Sequence, residues 1–189
     1  MVEADSAFFE TTAVADSQHK SKRVKKIQSY RGKGSGRVWP VLVMAESLPG
    51  EPDESRNSSS RNPLGNRIRY VRIKQLEGHK AIHVTEVMKQ TLASGNTEVV
   101  TDMGTEMVAI TEVANQHYKV HSTPLNNDRH LHWVNIVTAN AKNAIKGVYH
   151  RVSAKYLQNY LDEFTYKFNR RYFGPQIFER LLNIAIVNC

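Results

Sequence analysis

Apolar residues along this chain switch between strand-like and helix-like spacing, and the switches mark out its elements. Val2 to Phe9 reads as a first strand carrying Asp5 in its middle. Val38 to Ala45 is an apolar run suited to a buried strand, with Pro40 pointing to a start, a bulge or an edge. Arg67 to Lys74 alternates apolar and basic positions, and the alternation slips between Tyr70 and Val71, as at a β-bulge. Ile82, Val84, Val87, Met88 and Leu92 approximate helical spacing, and Ser94-Gly95-Asn96 stops that helix. Glu98 to Thr101 is a short strand running straight into Asp102. Met107 to Ala114 is expected to be helical and His117 to His121 to be another strand, closed by Pro124. Trp133 to Ala144 predicts a helix, and a longer one follows Ser153 with Leu157, Tyr160, Leu161, Phe164 and Phe168 on one face. Pro175 suits the first turn of a last helix through Ile177, Phe178, Leu181, Leu182 and Ala185.

Three strands in succession, then helices alternating with strands, predict an α/β protein: a mixed five-stranded sheet flanked by helices. In that topology the ends of the first and fourth strands lie side by side at the rim of the sheet, and those two strands carry Asp5 and Asp102. A length of 189 residues suits one domain, 1–189, and a hydrophobic content of 40% excludes a disordered chain. Residues 47–66 collect Pro, Ser, Asn, Gly and charge, and read as a surface loop.

Charge narrows the range of partners. Lys and Arg number 26 against 18 Asp and Glu, a net +8, which favours a polyanion, with nucleic acid ahead of a membrane surface. No acidic residue occurs from Ser17 to Ala45, a stretch holding Lys22, Arg23, Lys25, Lys26, Arg31 and Lys33 around a Gly-rich segment. Such a run is ordinarily a solvated face; beside the first strand it also suits a loop that tracks phosphates. The lone cysteine, Cys189, excludes an internal disulfide framework and a Cys-based zinc site. No apolar stretch reaches the roughly 18 residues of a membrane span, and the start does not read as a signal peptide, so a reducing cytoplasm is expected.

Two-metal phosphoryl transfer needs hard oxygen ligands converging from separate elements. Asp5 and Asp102 supply two carboxylates, although a lone Asp at a strand end is more often a turn residue. Asn135, on the helix after the last strand, offers an amide oxygen. Lys142 follows it two helical turns later on the same face and could hold a DNA phosphate. Glu106, one turn beyond Asp102, could also face the metals, but an exposed helix glutamate is the ordinary reading.

Val2-Glu3-Ala4-Asp5, Val99-Val100-Thr101-Asp102 and the block from His132 onward resemble the ISXO-type insertion-sequence transposases of the DDE superfamily. The most specific part is the C-terminal stretch, Lys142 to Ser153 and then Lys155 to Arg171, with Leu157, Gln158, Tyr160, Leu161, Asp162, Glu163, Phe164, Asn169 and Arg170. The resemblance implies an RNase H-like fold in which Asp5, Asp102 and Asn135 hold two Mg²⁺ or Mn²⁺ ions and Lys142 supports them. It implies cleavage at transposon ends followed by attack of the freed 3′-hydroxyl on target DNA. DNA is then the partner, with a homo-oligomer assembled on DNA and a place at the bacterial nucleoid; the basic segment is a candidate contact on its charge, and for His150 a backbone contact or packing is equally open. The chain departs from the family pattern at Ser6, where a glutamate is usual, and the usual N-terminal zinc ribbon and helix-turn-helix are not expected in it. The alternative at this point is a catalytically inactive basic domain that binds DNA or a partner transposase.

Overall fold

The computed structural model describes residues 1–11, 38–48, 67–92, 97–124, 130–150 and 152–187. Its elements run β1 (Val2–Glu10), β2 (Val38–Leu48), β3 (Arg67–Gln75), α1 (Ala81–Thr91), β4 (Glu98–Asp102), a 3-10 helix (Thr105–Glu112) and β5 (Gln116–Val120). Then come α2 (His132–Ala144), a π-helical turn (Ile145–Tyr149), a 3-10 turn (Ala154–Tyr156), α3 (Leu157–Asn169) and α4 (Gln176–Val187). The strands form one sheet in the order β3-β2-β1-β4-β5. β1, β2 and β3 are antiparallel neighbours, while β4 lies parallel to β1 and β5 parallel to β4.

Alternation along the strands feeds two cores. Ala7 and Phe9 of β1, with Val41, Val43 and Ala45 of β2, face Val134, Val137 and Ala141 of α2 and Leu157 and Leu161 of α3. Ala4, Leu42 and Met44 point the other way, against Val84 and Met88 of α1 and Met107 and Ile110 of the 3-10 helix. β2 is therefore covered on both faces, which is why its sequence is apolar almost without interruption. Val134, Val137 and Ala141 are all fully buried, at the spacing that gives one helix stripe.

Pro40 sits inside β2 and not at its edge. Val41 pairs with Gln75, so Pro40 stands opposite Leu76, whose N–H donates to the Pro40 carbonyl at 2.9 Å. The N–H that proline lacks would have met the Leu76 carbonyl; the indole Nε1 of Trp39 donates to it instead, at 2.9 Å. β3 does carry a bulge, but at Arg69 and not at the expected slip between Tyr70 and Val71. Glu46 pairs with Tyr70 but Ser47 with Ile68, which leaves Arg69 as the extra residue of β3.

Two boundaries differ from the sequence reading. Ser47 and Leu48, placed in a loop by their polar neighbours, belong to β2: Ser47 donates its N–H to the Met1 carbonyl at 3.0 Å, and strands flank it on both sides. The rest of that loop, 49–66, lies outside the described residues, as does the basic segment with Lys22, Arg23, Lys25, Lys26, Arg31 and Lys33. The helix expected at Met107 to Ala114 is a 3-10 helix starting earlier, at Thr105, because Gly104 turns the chain directly after β4.

Candidate active site

Parallel pairing of β1 with β4 ends at Ala4 and Thr101, and the next residue on each strand is an aspartate. Asp5 shares its side of β1 with Ala7 and Phe9, and Asp102 shares its side of β4 with Val100, so both carboxylates leave the sheet on the α2 side. Asp5 accepts the N–H of Ser6 through Oδ1 at 2.7 Å. Asp102 accepts the N–H of Gly104 through Oδ1 at 3.0 Å, the local turn expected of an aspartate at a strand end. Burial pushes the Asp5 carboxyl up to about 6, and the negative charges of Asp102 and Glu106 add to that push; the Ser6 N–H and the Lys142 ammonium oppose it without cancelling it.

Glycine at 104 leaves room for these acids. A Cβ there would lie 2.9 Å from Asp102 Oδ1 and 3.0 Å from Glu106 Oε2, so any larger residue would have to push these carboxylates apart. Hard oxygen donors with too little opposing cation are a set that suits Mg²⁺ or Mn²⁺. Among the described residues, no group of three His, Cys, Asp or Glu side chains is arranged to hold a metal ion.

The α2 helix carries the remaining expected residues. Asn135 is exposed in its first turn, and its backbone N–H bonds to the Leu131 carbonyl at 3.1 Å. Lys142 is also exposed, with Nζ 5.7 Å from the centre of the Phe9 ring, and its charge is felt at Asp5. The structure thus brings Asp5, Asp102 and Lys142 into one neighbourhood and leaves Asn135 exposed to solvent on the same helix. His150 follows the π-helical turn, exposed, with φ of 56°, a backbone region that costs a non-glycine residue energy.

Two features of the site were not legible beforehand. Glu3, only 2% exposed, reaches from β1 to the start of α2, where its Oε2 accepts the N–H of Trp133 at 2.7 Å and of Val134 at 3.0 Å. Burial raises its carboxyl to about 7 even though both N–H groups favour the charged form. On the opposite face of β1, the Ser6 hydroxyl donates to Glu106 Oε1 at 2.6 Å, and His79 Nε2 stands 3.1 Å from both oxygens. Glu106 is therefore buried and bonded, contrary to the expectation of an exposed helix glutamate: the 3-10 geometry turns it back under β1. A second acid shortly after Asp102, just past a glycine, was the only signal that pointed there.

A mixed sheet in this order, with helices on both faces and an aspartate pair at the end of its central parallel strands, defines an RNase H-like α/β domain. Residues 1–169 match the family described as the ISXO2-like transposase domain, and the chain belongs to that family. The match closes at Asn169, the last residue of α3, so α4 lies beyond it. No curated protein and no solved structure matches the chain. Membership makes its role that of a transposase, with DNA as the partner. Among the described residues no helix is long and apolar enough to cross a membrane.

Proposed function

We propose that the chain catalyses metal-dependent strand cleavage and strand transfer at the ends of an insertion sequence. The observation that carries this reading is the placement of Asp5 and Asp102 one step past the last paired residues of parallel β1 and β4, on the face covered by α2. Asp5 and Asp102 are the proposed carboxylate ligands, and Asn135 the amide ligand. A pair of Mg²⁺ or Mn²⁺ ions would supply Lewis-acid activation of the attacking oxygen and neutralise charge at the leaving oxygen. Lys142, close enough to Asp5 to oppose its charge, is suited to bind a non-bridging phosphate oxygen and hold the strand in line. The basic segment around Lys22 to Lys33, together with His150, is proposed to hold the DNA backbone, with the protein assembled on DNA as a homo-oligomer at the bacterial nucleoid.

The test uses the purified chain, Mn²⁺ and pre-cut transposon ends. Wild type is expected to join ends to target DNA, and Asp102→Asn to reduce joining at least ~100-fold while leaving the fold intact. Joining that persists in Asp102→Asn would overturn the assignment. A second reading is an inactive domain that binds DNA or a partner transposase; among the described residues no group of three His, Cys, Asp or Glu side chains is arranged to hold a metal ion. It predicts DNA binding without joining by wild type. Cleavage of RNA–DNA hybrids without end preference would point instead to a general nuclease.

A further inference from the structure

The first turn of α2 is capped from a distant part of the chain. Its N-terminal flanking residue is Leu131, whose side chain cannot accept a hydrogen bond, and no local side chain caps the helix. The second and third helical N–H groups, of Trp133 and Val134, donate instead to one oxygen of Glu3. Glu3 lies on β1 two residues before Asp5 and on the same face, bracketed by Ala45 of β2 and Val100 of β4. The residue after Val134 is Asn135, and Lys142 lies two turns further on.

Apolar contact holds α2 onto the sheet through Val134, Val137 and Ala141, but such contact has no direction and does not fix a helix along its axis. Two hydrogen bonds to a single carboxylate oxygen do have direction. We infer that Glu3 is a positioning residue: it locks the start of α2 to β1, so that Asn135 and Lys142 are held at a fixed offset from Asp5 and Asp102. This rests on the strand-transferase reading. It goes beyond that reading by giving a role to a buried acid that the reading leaves without one. Because Glu3 sits on the strand that carries Asp5, two residues before it, the clamp ties the start of α2 to the first proposed metal ligand by a short rigid path.

Two measurements on Glu3→Ala and Glu3→Gln separate the clamp from the activity. In amide hydrogen exchange, Trp133 and Val134 of wild type are expected to be protected, and Glu3→Ala to lose about tenfold or more of that protection while Val137 and Ala141 keep theirs. In strand transfer, Glu3→Ala should lower the rate at saturating DNA by about 100-fold with DNA affinity unchanged, because a small misplacement of reacting groups is costly. Glu3→Gln, which keeps an acceptor oxygen in the same place, should recover at least about tenfold of that loss. Unchanged protection in Glu3→Ala overturns the clamp. So does a wild-type rate in Glu3→Ala, or a loss confined to DNA affinity. Exchange lost throughout the sheet in both variants overturns it in favour of a general role in stability. If wild type itself joins no DNA, the strand-transferase reading fails, and the exchange result still decides whether Glu3 holds the helix.

Discussion

Asp5 is held in the fold at an energetic disadvantage, and the disadvantage has a sign that can be measured. Its carboxyl titrates near 6 in the folded protein against an ordinary 3.8, so between those values the folded state binds more protons than the unfolded one. Stability of the metal-free protein therefore falls as pH rises from about 4 to about 6, and the deficit persists above that range. Glu3, raised to about 7, acts in the same direction over a window reaching neutral pH. Replacing Asp5 by Asn keeps the shape and an acceptor for the Ser6 N–H but removes the charge. Urea denaturation without metal should show Asp5→Asn more stable by about 2 kcal/mol at pH 7.5, with a smaller gain at pH 5. A variant no more stable than wild type at pH 7.5 would contradict the account of the acidic rim.

At the scale of elements, the C-terminal phrase that most resembles the family proves to be an edge cover. β3 is the outer strand of the sheet, and its outward backbone groups are met by side chains of α3 and the turn after it. Asn169 accepts the Val71 N–H at 2.8 Å and donates to the Val71 carbonyl at 2.9 Å. Gln158 accepts the Gln75 N–H at 2.7 Å and donates to the Ile73 carbonyl at 3.1 Å. Arg171 donates to the Phe168 and Ile68 carbonyls at 2.8 and 3.2 Å. An uncovered edge invites pairing with other chains, and these amides block it. Asn169→Ala strands both groups of Val71 and should cost about 1–3 kcal/mol in urea denaturation, with a greater tendency to aggregate. A loss below about 0.5 kcal/mol would mean that water substitutes for the amide.

At the scale of the molecule, two cores clamp the sheet, and the acids gather at the end of its central strands. Any cation that binds the folded rim but not the unfolded chain stabilises the whole fold by mass action. Millimolar Mn²⁺ is expected to raise the melting temperature by about 5 °C or more at pH 7.5, an effect absent in Asp102→Asn. The shift should shrink below about pH 6, where protons compete for Asp5. An equal shift in both proteins would place the ion elsewhere.

Local periodicity was enough to locate β1 to β5 and most of the helices, and the order of elements brought the ends of the first and fourth strands side by side, so Asp5 and Asp102 could be placed together at the rim from sequence. The elements themselves need only the spacing of side chains along one segment, which the chain carries in itself. Periodicity could not say that Glu3 caps a helix 130 residues away, that Glu106 folds back under Ser6, or that Gln158 and Asn169 seal β3. Each of these is a polar group satisfied across the fold, and its partner exists only once two elements have packed. Hydrogen bonds are short and directional, so they depend on tertiary position in a way that an apolar stripe does not. Sequence thus determined which residues stand at the rim of the sheet. Tertiary structure decided what surrounds them: a shared deficit of positive charge, a glycine wedged between two acids, and a helix fastened to the strand that carries the first aspartate.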